Sequence, residues 1–291
     1  MTNFTLENAT DEQLGLAVQE NLFALFRAMT TLPNSQLEET ESLSRHLAFP
    51  TNPMYKGVWN THLTPENAEQ AIHETIDWFK LRGAPFFFWW TGPGTYPEEI
   101  GKLLTDRGLI DMEGQSHAMA ADSTSTLSGA PGMIADLHQM NESVLEKIPD
   151  GFKMRDVQNE TDLQDFKRVL IEGYEMPAAM ADAWVQSTHE FGIGKTPWRL
   201  ILGRLNGQPV ATNIIFNGAG VAGVYGITVS PFARGKGIGA AITLKPLLDI
   251  REQDGYRYAV LFSSEMGTPV YERIGFRMTG VRINRYLWRN S

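Results

Sequence analysis

In VSPFARGKGIGAAI, Val229 to Ile242, glycines at 235, 237 and 239 alternate with the cations Arg234 and Lys236, between an apolar run and a helix-like one. Glycine lets backbone amides turn toward a bound group without side-chain obstruction. A helix starting just beyond favours negative charge at its N-terminus, and two cations add to that preference. Pro231 has no N–H to continue a ladder and biases Ser230 away from helix, so a strand ends at Val229. A corner of this kind suits a diphosphate.

Three motifs compete for it. A P-loop needs G-x-x-x-x-G-K-[ST], and no such string occurs. The dinucleotide pattern G-x-G-x-x-[GA] is met by Gly235, Gly237 and Ala240. That unit normally opens a doubly wound fold with several βα repeats after it. Here the chain runs only to Ser291, and what precedes the loop is an antiparallel meander. WRLILGRL and QPVATNIIFN flank Asn206–Gly207, a hairpin signal because both residues tolerate positive φ. NGAG then turns into a third strand, VAGVYGITV, which leads into the loop, and IGAAITLKPLLDI forms the helix beyond it. Pro246 removes one backbone donor inside that helix and is expected to bend it near Ile242. The remaining pattern is R-x-x-G-x-G, carried by Arg234, Gly237 and Gly239.

With that loop, the meander before it and YAVLFSSEMGTPVYERIGF after it, the sequence over roughly 151–291 resembles the GNAT superfamily of acyl-CoA-dependent N-acyltransferases. The resemblance implies a mixed α/β (α+β) domain, a mostly antiparallel sheet flanked by helices. It implies that the amides of Arg234, Gly235, Lys236, Gly237, Ile238, Gly239 and Ala240 bind the pyrophosphate of coenzyme A. It also implies that the backbone of Ile227, Thr228 and Val229, on a strand splayed from its neighbour, pairs with the pantetheine arm. Ser264 falls where the family often has a cofactor-binding asparagine or serine. Tyr271, seven positions on, falls where it has the tyrosine that protonates the departing thiolate. The implied reaction is direct attack of a primary amine, small-molecule or peptide, on acetyl-CoA in a ternary complex. A non-catalytic acyl-CoA sensor or scaffold is the alternative, because the strand glutamate common in the family is replaced here by Tyr225–Gly226. Glu172, Glu175 and His189 lie where acceptors usually bind, and each reads more readily as an ordinary surface residue than as the base.

Positioning these groups falls to two expected domains. STSTLSGAPG at 123–132 and the Pro149–Gly151 break place the boundary near residue 150, with FKMRDV and ETDLQDFKRVLIEGY opening a new strand–helix pattern. Upstream, QLGLAVQENLFALFRAMT at 13–30 and TPENAEQAIHETIDWFKL at 64–81 read as amphipathic helices, the second with Thr64 as N-cap. PFFFWW at 85–90 reads as a buried strand rather than a stacking surface. FFFWWTGPGTYPEEIGKLLTDRGL shares a strand–turn–helix–glycine grammar with the 258–276 block. Residues 1–150 therefore read as a degenerate copy of the 151–291 domain, lacking the loop and buttressing its acceptor cleft.

Charge divides along the same line. Residues 1–150 hold 21 acidic and 8 basic side chains, net −13, whereas 151–291 hold 13 and 17, net +4. Phe191 to Leu248 contains no acid and six cations, Lys195, Arg199, Arg204, Arg234, Lys236 and Lys245. A basic window suits a small polyanion, while the overall charge of −9 argues against nucleic acid as a partner. Glu98 and Glu99 belong to an acidic first half that reads as a solvated face. The absence of cysteine excludes thiolate metal sites and a cysteine nucleophile. No metal is expected: the histidines at 46, 62, 73, 117, 138 and 189 have no ligand spacing, and HETID at 73–77 ends in Asp where a zincin needs His. The N-terminus has neither a basic start nor an apolar core, and no apolar run approaches ~20 residues. A cytoplasmic protein with no membrane partner is the expectation; its oligomeric state is not legible.

Overall fold

The computed structural model describes residues 4–48, 56–112 and 129–290. Along the chain run α1 (Asp11–Met29), β1 (Gln36–Glu39), β2 (Ser44–Leu47), β3 (Lys56–Trp59), α2 (Ala68–Leu81), β4 (Phe86–Thr91), α3 (Ile100–Asp106) and β5 (Ile110–Asp111). Then follow β6 (Ala130–Asp136), β7 (Phe152–Asp156), α4 (Glu160–Tyr174), α5 (Ala178–Phe191), β8 (Arg199–Leu205), β9 (Gln208–Gly218) and β10 (Val221–Val229). α6 (Ile238–Asp254), β11 (Tyr258–Phe262), α7 (Thr268–Ile274) and β12 (Arg277–Arg289) complete it. The chain forms two compact units, Met1–Leu25 with Gly132–Gly280, and Phe26–Pro131 with Val281–Ser291.

The first unit orders its strands β6–β11–β10–β9–β8–β7, antiparallel throughout except for the parallel pair β10–β11. The meander is as expected, with its hairpin at Asn206 (φ 51°) and Gly207 (φ 82°). Ile201, Val210, Ile215 and Val224 from the sheet close a core with Ile238, Ile242 and Leu247 of α6, all at most 2% exposed. α4 is amphipathic and begins at a true cap, where Asn159 Oδ1 accepts from Asp162 N at 3.0 Å. From α1, the buried Asn21 amide donates to Phe216 O, Gly218 O and Val221 O and so ties down the β9–β10 turn. α5 was not anticipated from the sequence pattern.

Pro246 is buried inside α6. A residue with an N–H at 246 would donate to Ile242 O, four residues back. Asn213 Nδ2, from β9, donates to that carbonyl instead, at 2.7 Å. A side chain of the sheet thus supplies the bond that proline cannot.

The second unit orders β1–β2–β3–β4–β12, with β5 also on β12; among these described strand pairs β3–β4 is parallel and the rest antiparallel. PFFFWW is core: Phe87 and Trp89 are fully buried, and Phe87 stacks between Phe79 (4.0 Å) and Trp288 (5.3 Å). α2 starts one turn later than expected, because Thr64 does not cap it; Asn67 Oδ1 accepts from Thr64 N at 2.9 Å and closes a turn before the helix. The strand–helix–strand order β4–α3–β5 matches β11–α7–β12, as the sequence echo suggested.

These units are composed differently from residues 1–150 and 151–291, and strand pairing is the cause. Gly132 to Asp136 of β6 pair with Phe262 to Tyr258 of β11, and Asn284 to Arg289 of β12 pair with Thr91 to Phe86 of β4. The sheet of each unit is therefore completed by a strand from the other half of the chain. Of the loop expected at 123–132, only 129–132 lies within the described residues.

Candidate active site

β10 and β11 part company early. Their register covers Ala222↔Ala259, Gly223↔Val260 and Val224↔Leu261, and ends there. β10 continues for five more residues to Val229, with a bulge against β9 between Tyr225 and Thr228. Beyond the last pair, residues of β10 have an edge to which β11 no longer contributes. Ser230 N donates to Val210 O of β9 at 2.8 Å, so Val229 O, in the same trans peptide, points away from β9 toward that open edge.

Beyond the strand, Pro231 to Ala233 form a single 3₁₀ turn, and Gly235 (φ 75°) and Gly237 (φ 78°) take left-handed conformations. A Cβ at Gly237 would come within 3.1 Å of Lys147 O, so this position needs glycine for both φ and space. Gly237 is the N-cap of α6, and no side chain caps it. Ala241 N is the first α6 amide taken up within the helix, by Gly237 O at 3.1 Å. The amides of Ile238, Gly239 and Ala240 are thus the helix's orphan donors. Ile238 and Ala240 bury their side chains in the core, so they offer a ligand only their backbone.

Arg234 and Lys236 are exposed, and neither pairs with an acid among the described residues. Of the other cations in the acid-free window, Arg199 pairs with Asp156, Arg204 with Asp162 and Asp165, and Lys245 with Asp249. Among the described residues the window's unpaired cations are thus Arg234 and Lys236 in the loop and the exposed Lys195, before β8. Arg234 donates from Nε to Val229 O (3.1 Å) and from Nη2 to Gly173 O at the end of α4 (2.8 Å).

Across the opening, Tyr271 on α7 is 8% exposed, its ring packed beneath Gly267 and at 6.1 Å from Phe276. Desolvation pushes its phenol up to about 12. Ser264 is exposed and accepts from Gly267 N at 3.2 Å, which makes its hydroxyl a turn cap leading into α7. Thr228 is buried against Gly173, where a Cβ would lie 2.0 Å from Thr228 Oγ1.

Tyr174, the last residue of α4, was missed from sequence. It donates from Oη to Ile227 O at 2.8 Å. The residue as a whole is 47% exposed, but its hydroxyl end is desolvated, and this, with Tyr271 nearby, raises its pKa. A lone tyrosine ending an amphipathic helix gives no sequence signal.

The candidate bases are scattered. Tyr225 donates to Asn21 Oδ1 at 2.6 Å, and burial raises its pKa, so it keeps its proton. His189 pairs with Glu160 at the start of α4, ~20 Å from Tyr174 along the helix. Glu172 is exposed and accepts from Ser230 Oγ at 3.1 Å. Glu175 sits in a left-handed C-cap, φ 52°.

The parallel pair of the second unit behaves differently. β3–β4 register at Gly57↔Phe88 and Val58↔Trp89 is followed by a bridge, His62↔Tyr96. Tyr96 N donates to Thr61 O (3.0 Å), Leu63 N to Tyr96 O (2.9 Å), and Trp89 Nε1 to Thr61 Oγ1 (3.0 Å). Where β10 and β11 separate, the corresponding chain here stays joined. Among the described residues no group of acids and histidines could hold a metal, and no helix is long and apolar enough to cross a membrane. His117 lies outside the described residues.

No family model and no curated protein matches the chain at the level of sequence. Solved structures do match. A GCN5-related N-acetyltransferase from Kribbella flavida superposes with a TM-score of 0.67 at 14% identity, over 98% of this chain and 97% of that one. Another, from Sphaerobacter thermophilus, gives 0.58 at 13% identity over 99% and 96%. A tandem GNAT protein from the clavulanic acid biosynthesis pathway gives 0.58 at 12% identity over 96% and 94%. At such identities the likeness is one of fold. The chain has the fold of the GCN5-related N-acetyltransferases, over nearly its whole length.

Proposed function

We propose that the chain is an acyl-CoA-dependent N-acyltransferase that moves an acetyl group from acetyl-CoA to a primary amine. The observation that carries this reading is the end of β10–β11 pairing at Val224, beside an α6 N-terminus with no side-chain cap. An open strand edge offers alternating donors and acceptors to an amide-bearing arm, and the loop amides with Arg234 and Lys236 suit its diphosphate. The neighbours' fold supports the same assignment. The unit built from residues 1–25 and 132–280 carries the reaction on this reading, and the joined β3–β4 slot makes the other unit the degenerate copy.

In the reaction the amine nitrogen attacks the thioester carbonyl carbon, the C–S bond breaks, the nitrogen releases a proton to solvent, and the sulfur leaves as a thiolate that takes its proton from solvent. Backbone donors at the open edge of β10 polarise the carbonyl. At about 12, Tyr271 keeps its proton throughout the working pH range. Complete transfer from it to an ordinary alkyl thiolate, pKa ~8.5, would be uphill by roughly 5 kcal/mol. Its role is accordingly a hydrogen bond to the departing sulfur.

Tyr225 favours a second reading. Where a carboxylate base would sit on β10, the chain has a buried phenol committed to Asn21, as a non-catalytic acyl-CoA sensor would allow. Acetyl-CoA turnover over a panel of amines separates the two. The enzyme reading expects turnover with at least one amine, and a 10- to 100-fold lower kcat for Tyr271→Phe with CoA affinity kept. CoA binding with no turnover on any amine supports the sensor.

A further inference from the structure

Three consecutive residues at the C-terminal end of α4 are fastened to β10 and its loop. Glu172 accepts from Ser230 Oγ, Gly173 O accepts from Arg234 Nη2, and Tyr174 Oη donates to Ile227 O. The second arm of Arg234 reaches Val229 O. Ile227 and Val229 are two residues apart, so their carbonyls leave the strand by the same edge. It is the open edge, since the Val229 peptide turns its N–H side toward β9. Both acceptors that this edge would offer a ligand's amide N–H groups are therefore already held by side chains of the chain itself, each anchored at the end of α4.

The next residue is held awkwardly. Glu175 has φ 52°, a left-handed conformation that L-residues avoid, and two residues later Pro177 is the N-cap of α5. Fastening Glu172 to Tyr174 keeps this joint in place, and unfastening them would let Glu175 relax.

We propose that the C-terminal turn of α4 is a displaceable plug on the open edge of β10. An amide-bearing ligand that pairs along Ile227–Val229 takes over the carbonyls held by Tyr174 and Arg234, and so frees residues 175–177 leading into α5. Binding along the strand is thereby coupled to the segment between α4 and α5. The proposal rests on reading this edge as the acyl-CoA site.

The test is calorimetric titration of coenzyme A into the full-length protein and into Tyr174→Phe, with unfolding midpoints confirming that both are folded. Phenylalanine keeps the ring and removes only the competing hydroxyl. A lost competitor of ordinary hydrogen-bond strength should tighten binding by about 2- to 10-fold. In the wild type, coenzyme A should also speed amide hydrogen exchange at 174–178 while slowing it at 235–240. Equal or weaker binding by Tyr174→Phe, with wild-type binding intact, overturns the plug, as it would if one carbonyl served both donors. Unchanged exchange at 174–178 overturns it too. Failure of the wild type to bind coenzyme A sinks the site reading itself, a different outcome.

Discussion

Asn213 should matter to the stability of α6, because it supplies the hydrogen bond that Pro246 cannot. Asn213 and Ile242 are both fully buried, and their bond is 2.7 Å. With Pro246 in place, Asn213→Ala leaves Ile242 O without a donor and without water. A buried unsatisfied carbonyl costs about 1–3 kcal/mol. Asn213 Oδ1 itself has no partner among the described residues, so its removal returns part of that cost, and we expect a net loss of about 1–2 kcal/mol. Pro246→Ala restores an N–H in reach of the same carbonyl. In that background Asn213→Ala should cost at least ~1 kcal/mol less, a coupling large enough to measure. Urea unfolding of the four proteins by far-UV circular dichroism, with amide exchange in α6 identifying the transition of its unit, gives the cycle. Additivity within ~0.5 kcal/mol would refute the claim that asparagine substitutes for the missing proline donor.

Two further outcomes follow from buried or distant groups. Lys56 is fully buried, its Nζ lies 4.3 Å from the Phe86 ring with no hydrogen-bond partner among the described residues, and desolvation lowers its pKa to about 8. Below pH 8 it is charged both folded and unfolded, and the folded state bears the penalty. As pH rises from about 8 to about 10.5 the unfolded chain binds more protons, so stability should climb by up to ~3 kcal/mol. Lys56→Met should be more stable near neutrality and lack that rise in a pH series of melts. Deleting residues 1–145 removes Gly132–Asp136 from beside β11 and the part of α1 that holds the β9–β10 turn. The remainder should be insoluble or partly unfolded by circular dichroism, and a soluble, cooperatively folding fragment would count against the unit assignment.

What the sequence made legible was local. Asn206–Gly207, the meander, the strand end at Pro231 and the glycine loop are all decided by φ preferences and missing donors within a few residues. The unit composition was not legible, because β6 finds β11 and β12 finds β4 across more than a hundred residues, and no local pattern encodes such pairing. The role of Asn213 was hidden for the same reason: Pro246 announces a lost bond but does not say which residue replaces it. Charge misled in part, since Arg199 and Arg204 sit in an acid-free stretch yet meet Asp156, Asp162 and Asp165 from outside it. Tyr174 became visible only once Ile227 had been placed opposite it.

Whether the glycine loop grips a diphosphate is decided by calorimetric titration of coenzyme A into the wild type and into the Arg234→Glu, Gly237→Val double variant. Measurable heat is expected with the parent and its loss with the variant, which reverses one charge and blocks the α6 N-cap. No heat with the parent, or equal affinity in both, would contradict such a grip.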